Sequence, residues 1–179
     1  MRRSLSNLRK PTQFSANSAT DKNYIKLALA EAHRAYKKGE VPVGAVIIKD
    51  GKIISQAHNL RERKQNALYH AEILAIKRAC RKLKTWRLTG CDLYVTLEPC
   101  PMCAGAILQA RISNVYFGAF DPKGGACGSV INVLEADKFN HNVNVVGGIM
   151  EQECGGIIKQ FFRERRVKTG GQSFGKSRK

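Results

Sequence analysis

Leu93-Tyr94-Val95-Thr96-Leu97-Glu98-Pro99-Cys100-Pro101-Met102-Cys103-Ala104-Gly105-Ala106 is the stretch from which the fold is read. Leu93 to Leu97 is a short apolar run rich in strand formers, as a buried strand requires. Pro101 suits the first turn of a helix, where its missing N–H would have no intrahelical partner. Upstream, Ile73, Ile76, Cys80 and Leu83 recur at helical spacing and predict a helix from about His70 to Leu83. Before it, Gly44 to Lys49 and Lys52 to His58 are β-rich runs separated by Asp50-Gly51, a dipeptide that favours a two-residue hairpin turn. Ile25, Ala28, Leu29, Ala32 and Tyr36 predict a first helix, with Thr20 or Asp21 as cap and Gly39 as stop. Downstream, Val115 to Phe120 and Val143 to Ile149 read as strands. Glu151 to Lys168 reads as a closing helix with Ile157, Ile158, Phe161 and Phe162 inward. Strands alternating with helices imply a layered α/β domain.

The chain has 179 residues, a length that suggests one domain with an ample core. Collagen-like, wholly disordered and small disulfide-scaffold classes are thereby excluded. The longest apolar stretches, such as Val43 to Ile48, fall far short of the roughly 20 residues that cross a bilayer, so no membrane partner is expected. Lys and Arg number 31 against 14 Asp and Glu, a formal charge of +17. Residues 1–22 and 159–179 carry +11 of it, and the densest internal run is Lys77, Arg78, Arg81, Lys82, Lys84 and Arg87. A polyanion is the natural partner, a solvated surface the plain alternative. Residues 1–21 are expected to form a flexible basic extension, 22–168 the folded domain and 169–179 a basic tail. The extension shares its composition with organelle transit peptides, but a cytoplasmic setting is the simpler expectation.

Six cysteines in a chain with an ample core and no secretion signal point to reduced thiols, not disulfides. Cys100 and Cys103 stand apart. At the mouth of a helix, backbone N–H groups and the helix dipole favour thiolates, the form that binds metal. A Cys-x-x-Cys at such a turn is either a redox pair or part of a zinc site. His70-Ala71-Glu72, one βα unit upstream, favours zinc: His70, Cys100 and Cys103 make a three-ligand set, and catalytic zinc keeps three protein ligands and leaves the fourth position to water. Two residues apart, His70 and Glu72 cannot share a face of a regular helix, so one of them must lie in an irregular first turn. His-x-Glu followed by Pro-Cys-x-x-Cys is the established signature of zinc deaminases acting on nucleobases.

Val41-Pro42-Val43-Gly44-Ala45-Val46, Ala57-His58-Asn59, His70-Ala71-Glu72 and Tyr94 to Ala106 together resemble the bacterial tRNA-specific adenosine deaminases of the cytidine deaminase superfamily. Phe117 to Gly125, Phe139-Asn140-His141 and Phe161-Phe162-Arg163 extend the resemblance over roughly residues 22–168. One departure is Asn66-Ala67-Leu68-Tyr69, where many members carry Asp-Pro-Thr-Ala or a similar turn. The resemblance implies a three-layer α/β/α fold with a mixed five-stranded sheet and helices on both faces, one Zn²⁺ per chain, a homodimer, and a tRNA anticodon stem-loop as substrate. It implies that Glu72 moves a proton from water to N1 of adenine while oxygen adds to C6 and ammonia leaves. It also assigns Asn59 to the target nucleoside, Asp121 and Lys123 to the ribose and RNA backbone. Phe162, Arg163, Arg165 and Arg166 mix an aromatic with cations, as stacking and phosphate contact require. A free-nucleobase deaminase such as a guanine deaminase, and a non-catalytic zinc-containing RNA-binding protein, are the alternatives. Cys80, Cys91, Cys127 and Cys154 read as core residues, His33, His58 and His141 as structural, and Trp86 as a hydrophobic plug.

Overall fold

Ser18 opens the first helix of the computed structural model, which describes residues 18–134 and 139–170. Its hydroxyl accepts from the Asp21 N–H at 3.1 Å, and α1 runs Ala19–Lys37. The cap thus precedes the expected Thr20 or Asp21, because extended Ser18 offers an oxygen where the first free N–H groups point. Residues 19–21, expected in the extension, are helical. Residues 1–17 of that extension and 171–179 of the expected tail lie outside the described residues.

β1 (Gly44–Lys49) and β2 (Lys52–His58) form the expected hairpin. Asp50 and Gly51 have φ of +49° and +70°, the left-handed pair that a type I′ turn demands. A short helix that the sequence pattern does not disclose, α2 (Arg61–Lys64), precedes α3 (Ala71–Leu83). Between them Asn66 builds a turn, its Oδ1 accepting from Leu68 N–H at 2.9 Å. β3 (Cys91–Leu97), α4 (Pro101–Gln109), β4 (Asn114–Ala119), β5 (Asn144–Val146) and α5 (Glu151–Gly170) complete the fold.

The strands lie in the order β2-β1-β3-β4-β5. β1 is antiparallel to β2 and β3, whereas β3, β4 and β5 run parallel. This is the expected mixed five-stranded sheet. Side-chain alternation divides it into two cores. Ala45, Ile47, Leu93, Val95, Val115 and Phe117 pack with Leu74, Ala75 and Ala79 of α3 and Ala104 and Ile107 of α4. Val46, Ile48, Tyr94 and Val146 face Ile25 and Ala28 of α1 and Cys154 of α5. Each large apolar side chain so buried contributes about 1.5–3 kcal/mol. At the sheet edge, β2 lends the carbonyls of Ile53 and Gln56 to Lys82 (3.1 Å) and Arg78 respectively.

Two apolar expectations need correction. Phe162 is 43% exposed and Ile158 half-buried, because the inward stripe of α5 runs through Cys154, Ile157 and Phe161 and leaves its flank outside. Trp86 is 54% exposed under the Arg87 guanidinium, 4.4 Å from the ring centroid, and neighbouring Leu88 is the buried plug. Cys91, Cys127 and Cys154 are buried as expected, Cys80 is half-buried, and none of the six cysteines, all of them among the described residues, forms a disulfide.

Candidate active site

α3 and α4 lie on one face of the sheet, and each begins at an extended residue, His70 (φ −71°, ψ 154°) and Cys100 (φ −74°, ψ 171°). Neither side chain caps its own helix, so both are free to face across the gap. His70 Nδ1 stands 3.6 Å from Cys100 Sγ and 3.6 Å from Cys103 Sγ. The three donor atoms lie within 4.8 Å of one another. Tetrahedral zinc with ordinary Zn–S and Zn–N bonds holds nitrogen and sulfur ligands about 3.6 Å apart, so the donor set fits that ion. Among the described residues no fourth His, Cys, Asp or Glu joins the group.

The electrostatics of the cluster suit a cation. Hydrogen bonding from the Cys103 thiol, aided by His70, lowers Cys100 to about 4, while the same contact and burial push Cys103 up. Its hydrogen bond to Cys100 raises His70. Without metal, one thiolate, one thiol and an imidazole thus share protons that a bound cation would displace.

Glu72 is the second residue of α3 and 3% exposed. Burial pushes its carboxyl above the usual carboxylate range, opposed by its own backbone N–H and by the nearby His70. The irregular position anticipated from the two-residue spacing falls to His70, whose extended backbone lets it and Glu72 serve one site.

Asn59 follows β2 and is buried, with its Nδ2 donating to Glu40 Oε2 at 3.2 Å. Glu40, fully buried, also accepts from the N–H groups of Glu62 (3.1 Å) and Arg63 (2.7 Å). That carboxylate therefore ties Asn59 to the segment leading to His70. Beside it, His58 donates to Glu31 at 2.6 Å and accepts from Lys38 Nζ at 2.9 Å, a structural role.

Asp121 lies in the loop after β4, its Oδ1 accepting from Lys123 N–H at 3.0 Å, while the Lys123 side chain is exposed. Phe162, Arg163, Arg165 and Arg166 are exposed on α5, which packs on β3, β4 and α1 and not on α3 or α4. These four belong to the opposite layer from His70, and the fold does not bring them into the metal group. Sequence reasoning missed Glu40 and Glu98. An acid in an otherwise apolar run, as in Leu97-Glu98-Pro99, was the available signal.

A protein of Bacillus subtilis named tRNA-specific adenosine deaminase is 56% identical over 148 residues, spanning 83% of this chain and 92% of that protein. One of the same name from Aquifex aeolicus is 50% identical over 143 residues, 80% of this chain and 94% of that protein. The chain belongs to the tRNA-specific adenosine deaminase family. The MafB19-like deaminase family model matches residues 19–166, which hold every member of the metal group. A solved structure from a study of A-to-I editing by tRNA:A34 deaminases at the wobble position superposes with a TM-score of 0.73 at 44% identity, covering 75% of this chain and 98% of that one. A guanine deaminase of Nitrosomonas europaea, at 18% identity and a TM-score of 0.66, shares the fold alone. Among the described residues of this family member, no helix is long and apolar enough to cross a membrane.

Proposed function

We propose that this chain hydrolyses adenosine to inosine at the wobble position of a tRNA anticodon loop, with residues 22–168 as the catalytic domain and one zinc held by His70, Cys100 and Cys103. The observation that carries the reading is the open three-donor group with a buried, proton-hungry Glu72 beside it. Zinc bound there supplies Lewis acidity that brings the pKa of water toward neutrality. Glu72 accepts the proton from that water and delivers it to N1 of adenine as oxygen adds to C6. It then takes the proton of the new C6 hydroxyl and passes it to the exocyclic nitrogen, so that the C6 carbonyl of inosine forms as the C6–N6 bond breaks and ammonia leaves. Burial suits Glu72 to this shuttle, because a raised carboxyl holds a proton readily and still surrenders it.

Asn59 hydrogen-bonds the target nucleoside, its amide oriented by Glu40. Asp121 and Lys123 engage the ribose and backbone. Phe162 offers a ring to a splayed base, and Arg163, Arg165 and Arg166 meet phosphates. An anticodon loop is a suitable substrate because its bases leave the stack for only a few kcal/mol. The protein acts in the cytoplasm as a homodimer.

Incubating the purified protein with an adenosine-bearing anticodon stem-loop is expected to yield inosine, and free guanine or adenine is expected to be left unchanged. Deamination of the free base with none of the stem-loop would replace this reading. Cys100→Ala is expected to lower zinc from about one per chain to near none, by metal analysis. RNA affinity is expected to fall steeply from low to high salt, and a flat dependence would argue for a free-base substrate.

A further inference from the structure

Two residues before Cys100, at the end of β3, the carboxylate of Glu98 is 2% exposed. It accepts from Asp121 N–H at 3.0 Å through Oε2, and from Cys127 N–H at 2.9 Å and Ser129 N–H at 3.0 Å through Oε1. The Ser129 hydroxyl also donates to Oε2. These four donors are distributed along a single loop, 121–129, and Ala126 N–H adds a bond to Pro99 O at 2.8 Å. Gly125 passes so close that a Cβ there would stand 2.3 Å from the Glu98 carboxyl carbon. The loop that carries Asp121 and Lys123 is therefore clasped onto the turn that delivers Cys100.

We propose that Glu98 is a positioning residue for substrate: it fixes the 121–129 loop against the metal-ligand turn and so sets the affinity for the RNA, without taking part in proton transfer. The two oxygens of the side chain accept from all four donors at once. A glutamine in its place would turn an N–H against a backbone N–H, so even an isosteric exchange frees part of the loop. Charge-assisted bonds of this kind are roughly twice as strong as neutral ones. What the loop grips rests on the proposed function above, whereas the clasp itself does not.

The test is Glu98→Gln in the full-length, zinc-loaded protein, assayed on the adenosine stem-loop and by amide hydrogen exchange. KM is expected to rise on the order of tenfold, the size of losing one hydrogen bond to a charged group. The expected kcat stays within about twofold and zinc at about one per chain, as three untouched ligands require. Exchange at Cys127 and Ser129 is expected to quicken. A fall in kcat with KM unchanged, or retained protection at both amides, would overturn the proposal. Should the variant not fold, Ser129→Ala removes only the hydroxyl contact and is expected to raise KM less, in the same direction; an unchanged KM would overturn it equally. If the parent protein makes no inosine, the functional reading fails, and stem-loop affinity with amide exchange still decides the clasp.

Discussion

Glu72 and Glu98 are almost equally hidden, at 3% and 2% exposure, yet their surroundings are opposite. Glu98 has four donors aimed at its two oxygens from a loop distant in sequence. Glu72 has its own backbone N–H and a neighbouring thiol, and burial dominates the balance and pushes its carboxyl up. A buried carboxylate that is fully hydrogen-bonded organises structure. One whose few donors are outweighed by burial is held ready to exchange a proton, which is what the proposed chemistry needs. The contrast separates two acids that composition and burial alone would class together.

The sharpest way to break the contrast is Glu72→Ala. Inosine formation is expected to fall by about 10²–10⁴-fold, the usual weight of general acid–base catalysis, with zinc retained and the unfolding free energy no lower than that of the parent. An active variant would remove the role given to Glu72. Next in size, Glu98→Ala is expected to lower the unfolding free energy by about 3 kcal/mol or more, since three backbone N–H groups lose their acceptor. Chemical denaturation measures it, and a loss no greater than that of Glu72→Ala would erase the distinction. The smallest effect is on pH dependence. Because the folded state raises Glu72, the metal-free folded chain binds that proton more tightly than the unfolded chain. Its contribution to stability is complete below the unfolded value of about 4.3 and is lost as pH rises through the higher folded value. Glu72→Gln is expected to flatten that decline, and identical slopes for parent and variant would show that burial does not govern this carboxyl.

The metal group was legible because its information is local. Cys100 and Cys103 are three apart at a strand–helix junction, and His70 and Glu72 open the preceding helix, so spacing and hydrophobic period placed them, and the deaminase signature they match favoured zinc over a redox pair. The hairpin was legible for the same reason, with both strands bounded as expected around Asp50-Gly51. What escaped depends on distant partners. Glu40 and Glu98 are held by backbone N–H groups 22 to 31 residues away, and every sequence carries such groups. Phe162 escaped because periodicity marks the centre of an apolar stripe better than its margin, and Trp86 because an exposed ring can be covered by a cation, here Arg87, instead of a core. That α5 lies in the layer away from His70 followed from topology, which the motif order does not encode.

The positive charge of α3 also has a use unrelated to nucleic acid. Lys82 and Arg78 reach across to β2, whose outer side has no neighbouring strand among the described residues, and occupy the carbonyls of Ile53 and Gln56. A foreign strand approaching that border meets ammonium and guanidinium groups in place of open acceptors, and like charge from its own copies repels it. The border is thereby guarded against fibril-like stacking, and three of the six cations in the densest run, Arg78 and Lys82 on these carbonyls and Arg87 over the Trp86 ring, are engaged before any RNA arrives.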